Sequence, residues 1–322
     1  MRTITIEEHF LASGIRERIT KNNPGGSILP GGKLLAKLSD LGSIRLHDMD
    51  ANGIDLQVIS HMTLGITSLP AQESISLIQA ANDQLAEAVT AHPDRFAGFA
   101  LLPMGDPTAA VAELERITHH PGFKGVMIHG TTNGLFLDDP SFFPILEQAV
   151  ALNIPVYIHP AEPPTIVRDA YYVGFDPAVS FTLATSGWGW HSETGIHALR
   201  LILSGVFDRL PTLQIIIGHM GEMIPFMLDR INNVLTPAAK NLQRSLPEYF
   251  LQNFSITTSG FFTDPPLQLA LQVMGADRII FSVDYPYSTN EQGRKFLDNA
   301  SISPADKEKI SHRNAERLLN LP

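Results

Sequence analysis

The feature that most constrains the fold is a regular alternation along the chain, in which eight short apolar segments are separated mostly by stretches with helical periodicity. Short apolar runs bounded by turn residues are typical of buried strands. Strands that alternate with helices form parallel sheets, and eight such units predict an α/β fold closed into a (β/α)8 barrel of the TIM type. The predicted strands are Thr3–Ile6, Leu56–Ser60, Phe96–Leu102, Gly125–Ile128, Val156–Ile158, Leu213–Ile217, Ser255–Thr258 and Arg278–Val283.

Two parts of the chain depart from this alternation. A Gly- and Pro-rich stretch at 21–32 is expected to be irregular, and the next segment, 33–52, has leucines at helical spacing that predict one helix. After the fifth strand, an aromatic-rich insertion at 161–191 contains both tryptophans. It is predicted to be partly helical and to roof a pocket, with internal packing or a subunit contact as the open alternative. No composition shift marks a boundary, so residues 1–322 are predicted to form a single domain.

Composition limits the partners and the compartment. The formal net charge of −10 at pH 7 argues against non-specific binding to nucleic acids or anionic membranes, although a bound cation would still admit an anionic small substrate. The chain has no cysteine, which excludes a disulfide framework and thiolate chemistry. No apolar run is long enough for a membrane span, and a cleaved amino-terminal signal would remove the first strand. We therefore expect a cytoplasmic protein.

The first ten residues carry the first indication of chemistry. Glu7 and His9 follow the predicted first strand, and residues two apart on a strand share a face. These two side chains therefore project together, while Glu8 points away. A carboxylate beside an imidazole forms half of a first-row metal site.

Three later strands end in the residues that would complete such a site. The fifth strand ends at His159, the sixth at His219 and the eighth at Asp284. In (β/α)8 barrels the carboxyl ends of the strands form the active face, so these residues and the first pair are expected around one axis. The mixed nitrogen and oxygen donors suit Zn²⁺ or Mn²⁺, with one coordination position left open. One divalent metal ion is the expected cofactor.

The same strand ends resemble a known enzyme family. The motifs are Glu-x-His at 7–9, Tyr-Ile-His-Pro at 157–160, Gly-His-Met-Gly-Glu at 218–222 and Phe-Ser-Val-Asp-Tyr-Pro at 281–286. In this order they are similar to the metal-dependent decarboxylase branch of the amidohydrolase superfamily, and the similarity spans nearly the whole chain. That branch includes γ-resorcylate, 2,3-dihydroxybenzoate and 5-carboxyvanillate decarboxylases, with aminocarboxymuconate-semialdehyde decarboxylase more distant.

The resemblance implies an activity and roles for named residues. The activity is non-oxidative loss of CO₂ from a hydroxylated aromatic acid, by a carboxy-lyase in which Asp284 delivers a proton to the ring carbon. His219 would be an acid–base residue, with its imidazole oriented by Glu222. The implied metal ligands are Glu7, His9, His159 and Asp284.

Two further residues would contact the substrate, a small aromatic carboxylate. Arg230 matches an arginine that family members offer across a subunit interface to the substrate carboxylate, which implies a homodimer or a homotetramer. An exposed arginine on a helix face is the alternative for this residue. His129 stands where the benzoate decarboxylases usually have asparagine, at a position expected to face the substrate, so no named substrate can be transferred to this chain.

Two other functions fit the same residues. A hydrolase of an ester, lactone or amide would use a hydroxide bound to the same metal. Glu-x-His in place of the His-x-His usual in hydrolases, together with the lack of a lysine at the end of the fourth strand, favours the decarboxylase. A catalytically inactive barrel that serves as a scaffold is the second alternative, and the full set of ligands argues against it.

Overall fold

The computed structural model describes residues 1–22, 29–62 and 71–322. In these residues eight parallel strands form one sheet, in which each strand pairs with the next strand along the chain. The predicted (β/α)8 barrel is confirmed. The strands are β1 (Ile4–Phe10), β2 (Leu56–His61), β3 (Phe96–Ala100), β4 (Phe123–His129), β5 (Val156–His159), β6 (Ile215–Ile217), β7 (Phe254–Thr257) and β8 (Ile279–Ile280).

At least one helix lies between each pair of consecutive strands, as the parallel order requires. Several helices begin with a capping residue, and Thr289 forms a capping box with Gln292 just after the segment that follows β8. The α-helices are Ser13–Asn22, Gly32–Ser39, Ser43–Asn52, Ala71–Ala91, Pro107–Thr118, Phe143–Ala151, Thr165–Tyr171, Pro177–Ala184, Gly189–Leu203, Val206–Arg209, Ile224–Leu235, Leu246–Asn253, Asp264–Met274, Asn290–Asn299, Pro304–Glu308 and Asn314–Leu319.

The sheet separates two apolar clusters. The smaller cluster contains Ile6, Val58, Phe99 and Tyr157 and draws on strands around the sheet, so it is the interior of the barrel. The larger cluster packs the other face of the strands against the helices. The strands are therefore buried on both faces, which accounts for their nearly continuous apolar sequences.

One predicted helix is wrong in its extent. The segment 33–52 forms two helices, Gly32–Ser39 and Ser43–Asn52, rather than one. Asp40 interrupts the pattern because its side chain accepts hydrogen bonds from the backbone N–H groups of Gly42 and Arg45, which starts a new helix. The predicted irregular stretch at 21–32 lies partly outside the described residues, and the described part includes the ends of two helices.

The insertion at 161–191 contains the two short helices Thr165–Tyr171 and Pro177–Ala184, and it exposes large apolar side chains such as Ile166 and Phe181. Its function as a roof stays a prediction, as does the single-domain organisation of the chain. None of the helices in the described residues has the length and the apolar composition that spanning a bilayer requires. The cytoplasmic location also stays a prediction.

Candidate active site and metal centre

Four of the predicted site residues meet at the carboxyl ends of the strands. β1 carries Glu7 and His9, β5 ends at His159, and Asp284 follows β8. One potential ligand atom from each residue lies within 4.8 Å of the others. Two carboxylates and two imidazoles at this separation could hold one divalent metal ion.

Glu7 is held through one of its two carboxylate oxygens. Oε2 accepts hydrogen bonds from the hydroxyls of Tyr157, Ser259 and Thr257, the last at 2.8 Å. Oε1 has no hydrogen-bond partner within the described residues and lies 3.5 Å from Nε2 of His159. Burial raises the pKa of Glu7, but the neighbouring imidazoles and the hydroxyl donors outweigh burial and lower the pKa to about 2. The side chain is therefore an anion with one oxygen available to the cluster.

The position of Glu7 depends on Gly218, which directly follows β6. A Cβ atom at Gly218 would lie 2.9 Å from Oε2 and 3.0 Å from Oε1 of Glu7, and 3.2 Å from the hydroxyl oxygen of Tyr157. Contacts below 3.0 Å require one of the groups to move, and this carboxylate is held by three hydroxyls. A residue without a side chain is therefore needed here, which explains the first glycine of the motif at 218–222.

The two histidines of the cluster are oriented by contacts of their other ring nitrogen. His9 Nδ1 lies 3.2 Å from Ser60 Oγ, and His159 Nδ1 donates a hydrogen bond to the Pro160 carbonyl at 2.7 Å. Such contacts fix the ring orientation of metal-binding histidines. Burial lowers the pKa of His159 to about 3, so its ring is neutral and Nε2 carries the lone pair that a metal ion requires.

The buried polar atoms of the cluster provide a test of whether a metal ion fits. Glu7 Oε1 and His9 Nε2 are both buried, and neither has a hydrogen-bond partner among residues 1–22, 29–62 and 71–322. His9 Nε2 lies 3.1 Å from Asp284 Oδ1, but the two atoms do not have the geometry of a hydrogen bond. An unpartnered buried polar atom costs about 1–3 kcal/mol, and a shared cation would remove that cost. The donor set and these two atoms therefore fit one divalent metal ion.

Asp284 differs from the other three residues because its side chain is partly exposed. Burial nevertheless raises its pKa, which favours the protonated form of the carboxyl group. Its backbone has a φ of +70°, in the left-handed region that non-glycine residues rarely adopt. A molecule that enters the mouth of the barrel would reach Asp284 more readily than the buried members of the cluster.

His219 and Glu222 form the predicted pair beside this cluster. His219 Nδ1 lies 2.7 Å from Glu222 Oε1, and His219 Nε2 lies 3.9 Å from Glu7 Oε1. The second oxygen of Glu222 lies 2.7 Å from Nδ1 of His191. No sequence motif indicates His191, because the contact joins segments 31 residues apart and depends on how a helix packs against the turn after β6.

The backbone that carries this pair is strained. Five consecutive residues, from His219 to Met223, have positive φ angles of 49°, 57°, 85°, 52° and 66°. Non-glycine residues in such conformations cost about 1–3 kcal/mol each, and they cluster at functional sites. Burial lowers the pKa of His219, but the carboxylates of Glu222 and Glu7 outweigh burial and raise the pKa to about 10. His219 is therefore positively charged at neutral pH in this arrangement.

The two predicted substrate-binding residues have different positions. His129 ends β4, is buried, and has its ring centre 5.1 Å from that of His159. Its Nε2 has no hydrogen-bond partner in the part of the chain that the structure describes. Burial lowers the pKa of His129 well below its usual value. Arg230 is exposed on the helix Ile224–Leu235, and no hydrogen bond or ion pair found among the described residues connects it to the cluster. Within one chain, only His129 lies at the cluster.

Comparison with known proteins identifies the class to which this barrel belongs. A family model described as Amidohydrolase matches residues 44–321. The chain therefore belongs to the amidohydrolase family.

Individual relatives narrow this class. Decarboxylase orsB of Emericella nidulans is 36% identical over 330 residues, covering 99% of this chain and 97% of that protein. The gamma-resorcylate decarboxylase of Rhodococcus jostii is 37% identical over 335 residues, covering 99% and 98%. A solved dihydroxybenzoic acid decarboxylase from Polaromonas sp. JS666, with bound manganese and the inhibitor 2-nitroresorcinol, has a TM-score of 0.89 at 35% identity and covers 99% and 97% of the two chains. Within its family, this chain is a member of the metal-dependent decarboxylase branch.

Proposed function

We propose that this chain is a metal-dependent carboxy-lyase that releases CO₂ from a hydroxylated benzoate without oxidation. The observation that carries the proposal is the meeting of Glu7, His9, His159 and Asp284 at one end of the barrel. The names of the relatives support the substrate class, and a resorcinol is the inhibitor in one related structure. Mn²⁺ or Zn²⁺ is the proposed cofactor, with manganese supported by the ion bound in that structure.

The overall reaction replaces the carboxylate of an aromatic ring by hydrogen, ArCOO⁻ + H⁺ → ArH + CO₂. The site must therefore deliver one proton to the ring carbon that carries the carboxylate. Asp284 is the proposed donor because it is the partly exposed member of the cluster, within reach of a substrate at the mouth of the barrel. A divalent ion bound at the cluster would supply positive charge that stabilises negative charge on a phenolic oxygen. When the carbon–carbon bond breaks, its electron pair returns to the ring, which becomes aromatic again.

His219 and Glu222 are proposed to return a proton to Asp284 after each turnover. The Glu222 carboxylate lies against Nδ1 of His219, which leaves Nε2 of His219 directed at the cluster. A carboxylate partner raises the basicity of an imidazole and fixes its orientation. A side chain that repeatedly accepts and donates a proton at one position needs both properties. The contact of Glu222 with His191 holds the second carboxylate oxygen and so adds to this orientation.

The function is tested by measuring CO₂ release from a panel of acids, in parallel with hydrolysis of esters and lactones. The panel contains 2,6-dihydroxybenzoate, 2,3-dihydroxybenzoate, 5-carboxyvanillate and, as a control, benzoate without a hydroxyl. We expect CO₂ from at least one hydroxylated acid, none from benzoate, and no hydrolysis. Hydrolysis without CO₂ release from any acid would replace the proposal by a metal-dependent hydrolase.

His129 is proposed to select among hydroxybenzoates. Among the described residues its buried Nε2 has no hydrogen-bond partner, and the ring lies beside the cluster, so a substrate hydroxyl placed there would satisfy this atom. Replacing His129 by asparagine is expected to change the ratio of kcat/KM between two dihydroxybenzoates by about 10-fold or more. The reason is that a substrate whose hydroxyl does not reach the buried polar group leaves that group unpaired and is therefore disfavoured. Mn²⁺ affinity is the control and should stay unchanged. An unaltered ratio would remove His129 from substrate selection.

Arg230 is proposed to bind the substrate carboxylate of a neighbouring copy in a homodimer or homotetramer. Its exposure and the lack of a described contact with its own cluster support a role in another subunit. Large apolar side chains, including Phe226 on the same helix and Tyr171 and Phe175 in the insertion, are also exposed. The proposal places these side chains in the contact between subunits, where their apolar surface would be buried.

The role of Arg230 is tested by combining two damaged chains. Arg230→Ala alone is expected to lower kcat/KM by about 10–100-fold. The substitution removes a charge-assisted hydrogen bond, which contributes about 1.5–3 kcal/mol, and each 1.4 kcal/mol corresponds to about a factor of ten. Co-expression with Asp284→Asn should then create one intact site in each mixed dimer and restore activity. A protein that turns over as a monomer, or mixed dimers that regain nothing, would contradict a role across subunits.

A further inference from the structure

Side chains make most of the contacts that close the barrel between its last and first strands in the described residues. Among the described residues, consecutive strands pair from β1 to β8, but no strand ladder joins β8 back to β1. The two edges are joined instead by one backbone hydrogen bond, from His9 N to the Tyr285 carbonyl at 2.7 Å, and by side chains. This junction lies where the ligand-bearing ends of β1 and β8 meet.

Glu8 contributes most of the side-chain contacts across the junction. Glu8 is fully buried, and its carboxylate points away from the metal-ligand cluster to which its neighbours Glu7 and His9 belong. Oε1 accepts hydrogen bonds from Ser282 Oγ and from Val283 N, each at 3.0 Å, and Oε2 accepts one from Tyr285 N at 2.8 Å. One carboxylate therefore holds the backbone on both sides of Asp284, whose left-handed conformation needs such support.

Ser282 extends this contact to the backbone of β1. Its Oγ accepts hydrogen bonds from Ile6 N at 3.0 Å and from Glu7 N at 2.6 Å. These two amides lie where the register of β1 against β2 shifts, since Thr5 pairs with Gln57 and Glu8 pairs with Ile59. Three steps on β1 match two steps on β2, which is a β-bulge.

The bulge decides which way the metal-binding motif faces. Ile6 is in the apolar cluster inside the barrel, and strict alternation would turn the next residue, Glu7, outward. The extra residue reverses the alternation, so that Glu7 and His9 project into the barrel mouth like Ile6. Without the bulge, the motif would present Glu8 to the site instead.

From these contacts we propose that Glu8 and Ser282 are positioning residues, which together form a clamp that holds the β1 bulge and the segment after β8 in the geometry needed for metal binding. The proposal rests on the metal site described under the proposed function. The clamp acts on both halves of that site, because Ser282 holds the Glu7 backbone and Glu8 holds the backbone around Asp284. Residues that orient metal ligands typically change metal affinity by about 10–100-fold when they are replaced.

The test compares Mn²⁺ dissociation constants, measured by electron paramagnetic resonance titration, for three variants of the full chain. Glu8→Gln replaces one carboxylate oxygen by an NH₂ group, which cannot accept a hydrogen bond from a backbone N–H. Ser282→Ala removes the hydroxyl oxygen that accepts hydrogen bonds from the backbone N–H groups of Ile6 and Glu7. Glu113→Gln is the matched control, because Glu113 is also buried and accepts from Asn82 and Arg116, but lies on the helix Pro107–Thr118. The melting temperature of each metal-free protein is recorded alongside.

We expect Glu8→Gln and Ser282→Ala to weaken Mn²⁺ binding by about 10–100-fold, while Glu113→Gln lowers the melting temperature and leaves the Mn²⁺ affinity unchanged. If Glu8→Gln does not fold, Ser282→Ala decides the question, since it leaves the Glu8 contacts to Val283 and Tyr285 in place. Wild-type affinity in the folded variants would overturn the clamp alone. A wild-type chain that binds no Mn²⁺ would overturn the metal site and the clamp together.

Discussion

Replacement of Asp284 by asparagine is expected to lower kcat for CO₂ release by about 10³-fold, within the range of 10²–10⁴ that a positioned proton donor contributes. Asparagine has nearly the same shape, but its amide cannot give a proton to the ring carbon. Asp284 is the partly exposed carboxylate of the cluster, whereas Glu7 is fully buried, so no second carboxyl group of this cluster is equally accessible to a substrate. The measurement is the single-turnover rate with the best substrate of the panel.

Two controls separate proton donation from a general loss of structure. Asp277→Asn changes an exposed carboxylate that pairs with Lys309 at 2.9 Å, and such surface pairs contribute about 1 kcal/mol or less. It should keep full activity. Mn²⁺ content of Asp284→Asn is measured in the same samples, and the rate is compared at saturating metal so that weaker binding does not account for the loss. A rate within 10-fold of wild type at saturating Mn²⁺ would exclude Asp284 as the proton donor.

Removal of the metal ion is expected to abolish CO₂ release, and addition of one equivalent of Mn²⁺ per chain is expected to restore it. The physical reason is that negative charge develops on the substrate in a buried site, where a bound divalent cation stabilises it. Protein treated with a chelator and dialysed is assayed before and after addition of Mn²⁺, Zn²⁺ or Mg²⁺. Full turnover by protein shown to be metal-free would contradict the proposed function.

Metal binding should also stabilise the fold, which gives a readout independent of catalysis. An ion that binds only the folded state at 100 times its dissociation constant adds about 2.7 kcal/mol to the free energy of unfolding. The melting temperature should therefore rise with Mn²⁺ in the wild type but not in His9→Gln. His197→Gln is the matched control, because His197 is equally buried but accepts a hydrogen bond from Leu137 N away from the cluster. An equal rise in both variants would show that Mn²⁺ binds elsewhere.

Much of the fold could be predicted because the signals are local. All eight strands are found near their predicted positions, since a buried parallel strand is an apolar run whatever its neighbours are. The errors are also local in origin. The segment 33–52 keeps its helical spacing across Asp40, but the side chain of Asp40 competes for backbone N–H groups and divides the helix.

The candidate site was predictable to the extent that it follows strand ends. Glu7, His9, His159 and Asp284 come together because a closed parallel barrel brings the carboxyl ends of all strands to one face. Arg230 shows the limit of this rule, since it lies exposed on the helix Ile224–Leu235 and not at a strand end. Its role stays a prediction.

By itself, the sequence determined the order of strands and helices and the strand-end residues among which the four clustered donors are found, because periodicity and strand-end position are properties of single segments. Only the tertiary structure decided which face of β1 Glu7 and His9 occupy and what holds them. The β1 bulge is stabilised by Ser282, and Glu222 is held by His191, through contacts between segments far apart in the chain. Such contacts depend on packing in three dimensions, which no local pattern encodes.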